Sequence, residues 1–467
     1  MANSITQKPL YTIIPVGSDI IFTISNGTIV GSYFNVKFIA EVYISHTTPP
    51  DITTTTDLIG TFKAAPNNAG VGMFDFSAVV ENHVKSDNLS ARNSEYKQFP
   101  YSSAPFPALH IIDGFSWNTN ALAYMRIKFR VEGSTTQTSI PEILDSQDES
   151  STNFEIFNGY LKHTDKLRIS GDDFGYKTAN FQPAASFPAV NTKSLLTNAP
   201  MTQYANIEDY GTIAFFNHNM QTDYVDFKYY NSSDVLISTD QVYSFWSTAS
   251  LFQSYTLADA RLRLMYCGCY PGNLQNWSAN FAAAIGLDLS YYTVTPKSVT
   301  GFALTKTLTI NINCPDLKNY ESIRLAWLNQ WGAWDYYTFT KKSSHTLSTE
   351  GSTYTQLEGT WNEKAFRLDG FRGGKKAFRV NATEKIRMNT DFVNESEAEW
   401  FEELINNPEV YLLEGFQTDP TLAMLNTYVT PVRLTTSSYT RKTVANDKLM
   451  QYTFEVEKSK RFRTQAI

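Results

Sequence analysis

At 467 residues the chain is too long for one ordinary core, and two to four domains is the expectation. With 14% aromatic and 18% charged residues, the composition excludes disorder and describes a folded protein with much apolar surface to bury. A formal net charge of −7 excludes a global basic field for nucleic acid or anionic membrane, and three cysteines exclude a disulfide framework.

The opening MANSITQKPLYTIIP lacks a basic stretch followed by a long apolar run, so it does not read as a secretory signal. No stretch approaches about eighteen uninterrupted apolar residues, so no membrane-spanning helix is expected. The lack of an export signal counts against a secreted glycan-degrading enzyme.

Residues 1–140 read as a β domain. Val36, Phe38, Ala40, Val42 and Ile44 alternate with Lys37, Glu41 and Tyr43, the period of two that one buried face imposes. Ala123, Met125, Ile127, Phe129 and Val131 repeat the pattern, with Arg126, Lys128 and Arg130 on the opposite face, either solvated or meeting an acidic partner. A short helix over Ala78–Val84 has Asp75 or Ser77 as its cap. Residues 86–107, broken by Pro100, Pro105 and Pro107, read as a long loop. The acidic stretch 141–152 reads as a linker; its Asp145, Asp148 and Glu149 lack the spacing of a calcium loop.

A middle β domain is expected over 153–300. It pairs Asn206–Asn217 with Asp223–Asn231 and Leu262–Tyr270 with Leu287–Thr295, and has an extended loop at Thr178–Val190. The third domain, 301–467, begins with Leu304, Leu308, Ile310 and Ile312 on one strand face. It continues through strand-like runs at Thr353–Trp361 and Ala377–Val380. Its convincing helix spans 394–406: Asn394 and Glu397 form a capping box, Trp400, Phe401, Leu404 and Ile405 form the buried stripe, and Glu402 and Glu403 face water. A last strand carries Met450, Tyr452, Phe454 and Val456 ahead of a basic tail. The fold class is therefore mainly β: several sandwich-like or barrel-like domains with one or two short helices.

The stretch Glu321–Phe339 concentrates the aromatic load. Ser322–Leu328 reads as a buried strand, Asn329–Ala333 around Gly332 as a turn, and Asp335–Thr340 as the returning strand. Trp327, Trp331, Trp334, Tyr336 and Tyr337 must be covered, either by the domain's own core or by another subunit, since aromatic residues are enriched in interface cores.

The run WLNQWGAWDYYTF, followed downstream by SSYTRKTVANDKLMQYTFEVE, resembles virion structural proteins of tailed phages that infect Bacteroidota, crAss-like phages among them. The resemblance covers Glu321–Glu457 and extends weakly to GTFKAAPNNAGVGMFDFSAVVENHV. It implies an assembly part of the tail or its connection to the head, located in the virion, and supplies no catalytic motif.

Catalytic chemistry finds little support in the residues. His46, His83, His110, His163, His218 and His345 are scattered singly, and Cys267, Cys269 and Cys314 lack paired ligand spacing, so no metal and no cofactor is expected. Gly370–Lys376 misses the phosphate-loop pattern, with Asp369 at the first glycine position and Lys376 in place of the hydroxyl, and reads as a cationic hairpin turn. Ser170–Gly175 resembles a sugar-deacetylase motif without its downstream histidines and reads as a turn. Two basic groups, Arg372, Lys375 and Lys376, and Lys458, Lys460, Arg461 and Arg463, offer contacts to a neighbour; without interleaved aromatics they suit nucleic acid poorly. The reading is a non-enzymatic, homo-oligomeric tail or neck component whose partners are copies of itself and neighbouring virion proteins. A glycan-binding or glycan-cleaving receptor component is the alternative, and a head-fibre or capsid-decoration protein the third.

Overall fold

A computed structural model describes residues 3–9, 12–85, 120–160, 162, 195–217, 222–243, 263–313, 320–360, 364–414, 429–440 and 450–463. The expected loops at 86–107 and Thr178–Val190, the Ser170–Gly175 motif, His110, His163, His218 and Cys314 lie outside them. The protein is mainly β, and its sheets are open where barrel-like closure was an option. Two units divide the chain: Met1–Asn313 with Leu328–Asp335 and Phe416–Leu425, and Cys314–Trp327 with Tyr336–Gly415 and Asn426–Ile467.

The first unit opens with a sandwich. Strands β1 (Ser4–Gln7), β2 (Ile13–Pro15), β3 (Ile21–Ser25), β4 (Phe34–Ser45), β5 (Leu58–Ala64) and β6 (Val71–Asp75) precede the long β7 (Leu122–Ser134). Short β8 (Glu142–Ile143), β9 (Glu149–Ser150) and β10 (Phe154–Phe157) follow. One sheet runs β1-β3-β6; the other runs β2-β10-β7-β4-β5, with β8 and β9 also pairing with β7. The alternating residues of β4 and β7 fill the space between the sheets, where Phe22 meets Phe76, Phe129 and Phe154 at ring separations of 5.6–5.9 Å. Full burial of each such ring contributes on the order of 1.5–3 kcal/mol. Helix α1 (Gly27–Ser32) is capped by Asn26, while α2 (Ser77–Val80) starts beside an Asp75 side chain that accepts the Ser77 amide.

The expected linker is instead part of this sheet. β8 pairs with Glu132–Gly133 and β9 with Lys128–Phe129, which brings Asp148 over the cations of β7. Asp148 lies 3.1 Å from Lys128 and 3.6 Å from Arg130, Arg130 also reaches Glu41, and Arg126 donates to the Ser151 carbonyl. Of the two fates open to this cationic face, an acidic partner is the one formed, and the same chain supplies it in Asp148 and Glu41.

Next come β11 (Thr202–Ala205), β12 (Thr212–Phe216), β13 (Tyr224–Asn231), β14 (Leu236–Tyr243), β15 (Leu264–Gly268), β16 (Leu289–Lys297) and β17 (Leu308–Ile312). They form a sheet in the order β11-β17-β16-β13-β14 and a pair β12-β15. The expected strands exist, but their partners are exchanged: β12 pairs with β15, and β13 pairs with β14 and β16. Helices α3 (Pro271–Trp277) and α4 (Ala279–Ile285) separate β15 from β16 and remove the short turn that a hairpin would need. Phe281 of α4 packs on Tyr229 and Tyr292, covering one face of β13 and β16. Because β17 completes this sheet, 301–313 belongs with the middle segment rather than with the last domain.

In the second unit, β18 (Ile323–Leu328), β19 (Trp334–Phe339), β20 (Ser344–Gln356), β21 (Gly374–Asn389), β22 (Val410–Leu413), β23 (Val429–Leu434) and β24 (Thr453–Lys458) form a sheet in the order β19-β18-β22-β23-β24-β21-β20. Helix α5 (Glu395–Ile405) carries the expected capping box, with Asn394 accepting from the Glu397 amide and Glu397 from the Asn394 amide. Trp400, Phe401 and Leu404 are buried as expected; Glu403, placed on the wet face by the sequence, is buried too. Asn394→Ala should cost about 1 kcal/mol by removing the cap, read as a lower midpoint in denaturant unfolding.

Candidate interaction surface

The aromatic hairpin forms as its spacing predicts, with Gly332 in its turn at φ +74°. Its rings face inward. Trp327, Trp331, Trp334 and Tyr336 are buried, and Tyr337 is half-buried with its ring 4.9 Å from that of Phe401. Of the two covers the sequence allowed, the domain's own core accounts for four of the five rings, which are buried within the chain, and α5 packs on Trp327 and Tyr337.

The turn is fastened by Asn329, whose side-chain oxygen accepts from the Trp331 and Ala333 amides while its nitrogen donates to Leu196 O and Asp335 Oδ1. Trp331 Nε1 donates to Asn198 Oδ1 at 2.9 Å. The void of about 10 Å³ beside Trp334, Asp335 and Thr197 has room for a water and no substrate. Cys267 and Cys269 are buried, and burial pushes the Cys267 thiol well above its ordinary value, which makes it inert as a nucleophile.

The exposed apolar surface collects elsewhere, on the hairpin of β20 and β21. The two strands pair from Ser344↔Arg387 to Gln356↔Gly374, with a bulge after Ser352. β20 ends the sheet order, so its outer backbone groups face away from the ladder, and it is exposed along almost its whole length. Long edges of this kind template strand addition, and proteins normally blunt them with proline or lysine. β20 contains neither and carries only His345 and Glu350 as titratable groups other than a tyrosine.

Between the strands, the described residues 357–360 and 364–373 are tied by their own hydrogen bonds. Thr360 N donates to Arg367 O and Arg367 N to Thr360 Oγ1, Arg372 N donates to Asp369 O, and Lys376 Nζ reaches Phe371 O. Glycines at positive φ, Gly359, Gly373 and Gly374, make the bends that side chains would oppose. This ordered tip turns its apolar residues outward: Phe366 is 63%, Leu368 73% and Phe371 72% exposed. With Leu347, Tyr354, Leu357, Phe378 and Val380, the hairpin holds eight of the 22 large apolar side chains exposed among the described residues, although it is about a tenth of the chain. The sequence showed the glycines and cations here but not the apolar patch, because residues that face water on both sides leave no alternation to read.

The two basic groups have different fates. Arg372 sits beside Asp369 and over the Phe371 ring, within the tip, and Lys375 and Lys376 begin β21. The carboxy-terminal group is not a free arm. Lys458 lies 3.2 Å from Glu384 and 3.0 Å from Glu414, Arg461 pairs with Glu350, Arg463 donates to Asn381, and Phe462 bridges to Ala382; Lys460, between them, is exposed. Backbone pairing with β21 holds this tail against its own sheet.

His345 stands at the hairpin's base between two carboxylates, 2.8 Å from Glu384 and 2.7 Å from Glu321. They sit on opposite ring nitrogens, so they cannot converge on one ion, and among the described residues no three His, Cys, Asp or Glu side chains group to hold a metal. The Glu384 hydrogen bond, then Glu321, raises the His345 pKa above 6.5; the His345 hydrogen bond, then Lys458, lowers that of Glu384 below 4.5. The His345 contribution is full below 6.5 and fades as pH rises through its raised pKa, while that of Glu384 is full above 4.5 and fades as pH falls through its lowered one. Amide protection at the start of β20 should therefore be highest between these values. An NMR titration of His345 should give a midpoint above 6.5, moved down by Glu384→Gln; an unmoved midpoint would exclude the pairing.

No protein-family model matches the chain, and no curated protein matches it. Among solved structures it is similar to the native conformation of E. coli alpha-2-macroglobulin, reconstructed by cryo-electron microscopy. The identity is 8% over 82% of this chain and 21% of that chain, with a TM-score of 0.17, a likeness too slight to inform fold or function.

Proposed function

We propose that this chain is a non-catalytic structural subunit of a phage virion, in the tail or neck, that works by packing against copies of itself and neighbouring virion proteins. One structural observation carries the reading: an ordered β-hairpin that offers an open sheet edge and a clustered apolar surface of the kind that marks protein contacts. The likeness of WLNQWGAWDYYTF and SSYTRKTVANDKLMQYTFEVE to virion proteins supports the same reading and supplies the phage setting. A reconstruction of purified particles tests it. The chain is expected as a repeated component of the tail or neck, and its absence from intact particles would overturn the proposal. Location in the head would favour a fibre or decoration protein instead.

A second reading, binding of a host-surface glycan, is favoured by one feature of the first unit. The strand register sets Tyr204, Asn311, Tyr291 and Tyr230 in a row across β11, β17, β16 and β13, with the last two rings stacked at 4.9 Å and Tyr204 exposed. Aromatic faces in line beside amide groups suit stacking on sugar rings. A glycan array with Tyr204→Ala and Tyr291→Ala controls decides it: binding lost in both variants supports the reading, and no binding by the parent chain removes it.

A further inference from the structure

We infer that the β20–β21 hairpin is an assembly arm that docks on the net-acidic body of a second copy of this chain, in a head-to-tail contact. The inference rests on the structural-subunit reading and names its partner. Charge identifies the occupant. Residues 344–389 carry eight Lys and Arg against five Asp and Glu, in a chain with 39 and 46; the remainder of each copy therefore holds 31 basic and 41 acidic residues. A net-positive arm meets a net-negative body in any neighbouring copy, which favours encounter between unlike surfaces.

The same charges dictate the symmetry. Pairing β20 with β20 of another copy would bring two net-positive arms together and is opposed by their repulsion. An arm-to-body contact uses two different surfaces, and repetition of such a contact closes a ring or extends a tube. Area is sufficient: the eight exposed apolar side chains present roughly 1,000 Å², against about 800 Å² per partner in a standard stable interface. Aromatic and aliphatic residues at the tip favour a protein over nucleic acid, which would use the cations alone.

Two arm variants separate the outcomes. Phe366→Ser/Leu368→Ser/Phe371→Ser removes the exposed apolar tip, and Lys375→Glu/Arg379→Glu reverses its charge; none of these side chains is buried, so the melting temperature should move little, the first variant giving up only the exposed Arg372–Phe371 contact. Native mass spectrometry and sedimentation of the full chain should show oligomers for the parent, loosened about tenfold or more as sodium chloride rises from roughly 50 to 500 mM. Each variant alone should be monomeric, yet should still bind the parent chain, because its acidic body can accept a parent arm. Variants that oligomerise like the parent would overturn the inference, as would a parent that self-associates but never binds its arm variants, the sign of arm-to-arm pairing. A parent monomeric at all concentrations yet present in particles would overturn self-docking and leave the structural-subunit reading standing. Retention of a labelled DNA duplex by the parent, lost in the charge-reversal variant while self-association persists unchanged, would assign the arm to nucleic acid instead.

Discussion

Trp327→Ala should lower the stability of the second unit by about 3–5 kcal/mol, the usual loss when a large buried ring leaves a cavity. Trp327 is fully buried on β18, and its ring centroid lies 4.9 Å from that of Trp400 on α5. Deleting the indole therefore removes contacts on both elements, and the surrounding strands can close the hole only partly. Its Nε1 has no hydrogen-bond partner among the described residues, so the indole contributes through packing alone. Trp327→Phe should accordingly cost less, about 1–2 kcal/mol, in proportion to the smaller apolar area lost. Denaturant unfolding followed by far-ultraviolet circular dichroism is the measurement, since fluorescence would change with the tryptophan itself. An alanine variant as stable as the parent would show that the aromatic hairpin is not core.

Gly332→Ala should cost about 3 kcal/mol or more, and Gly374→Ala about 1 kcal/mol, although both glycines lie at nearly the same positive φ. The difference is space. A Cβ on Gly332 would run into the backbone carbonyl of Asn158, whereas one on Gly374 would meet nothing within 4 Å. The Asn158 carbonyl cannot swing away cheaply, because it precedes a fixed segment in which Tyr160 N donates to Gln330 O at 2.8 Å. Comparing the two variants by thermal unfolding separates the cost of backbone conformation from the cost of collision. Equal losses would mean that the turn relaxes freely around Asn158.

These two hairpins, one buried and one exposed, also show how far local patterns reach. The aromatic hairpin, β4, β7 and α5 were legible because burial on one face imprints a period on the residues, and because Asn394, Glu397 and Gly332 are chemical punctuation with local causes. Nothing local says which strand lies beside which: β12 and β15 are joined by about fifty residues, and β13 prefers β16 through contacts made only once the chain has folded. The stretch 141–152 misled because its composition is that of a solvated segment. Its Asp148 is paired with Lys128 and Arg130, which are close in space and not adjacent in sequence. The same limit shortened the arm: strand-like runs at Thr353–Trp361 and Ala377–Val380 around a turn were legible, but no buried face marks the full length of β20 and β21.

By itself, then, the amino-acid order determined that this protein is built from strands, where its longest helix starts, and that Trp327 and its neighbours must be covered. Burial periodicity and capping are short-range physics, and the chain carries them wherever it goes. Only tertiary structure decided which surface covers the indoles and which apolar residues remain in water. That choice belongs to long-range packing: α5 and strands far apart in sequence claim Trp327, Trp400 and Phe401, while no described residue buries Phe366, Leu368 and Phe371.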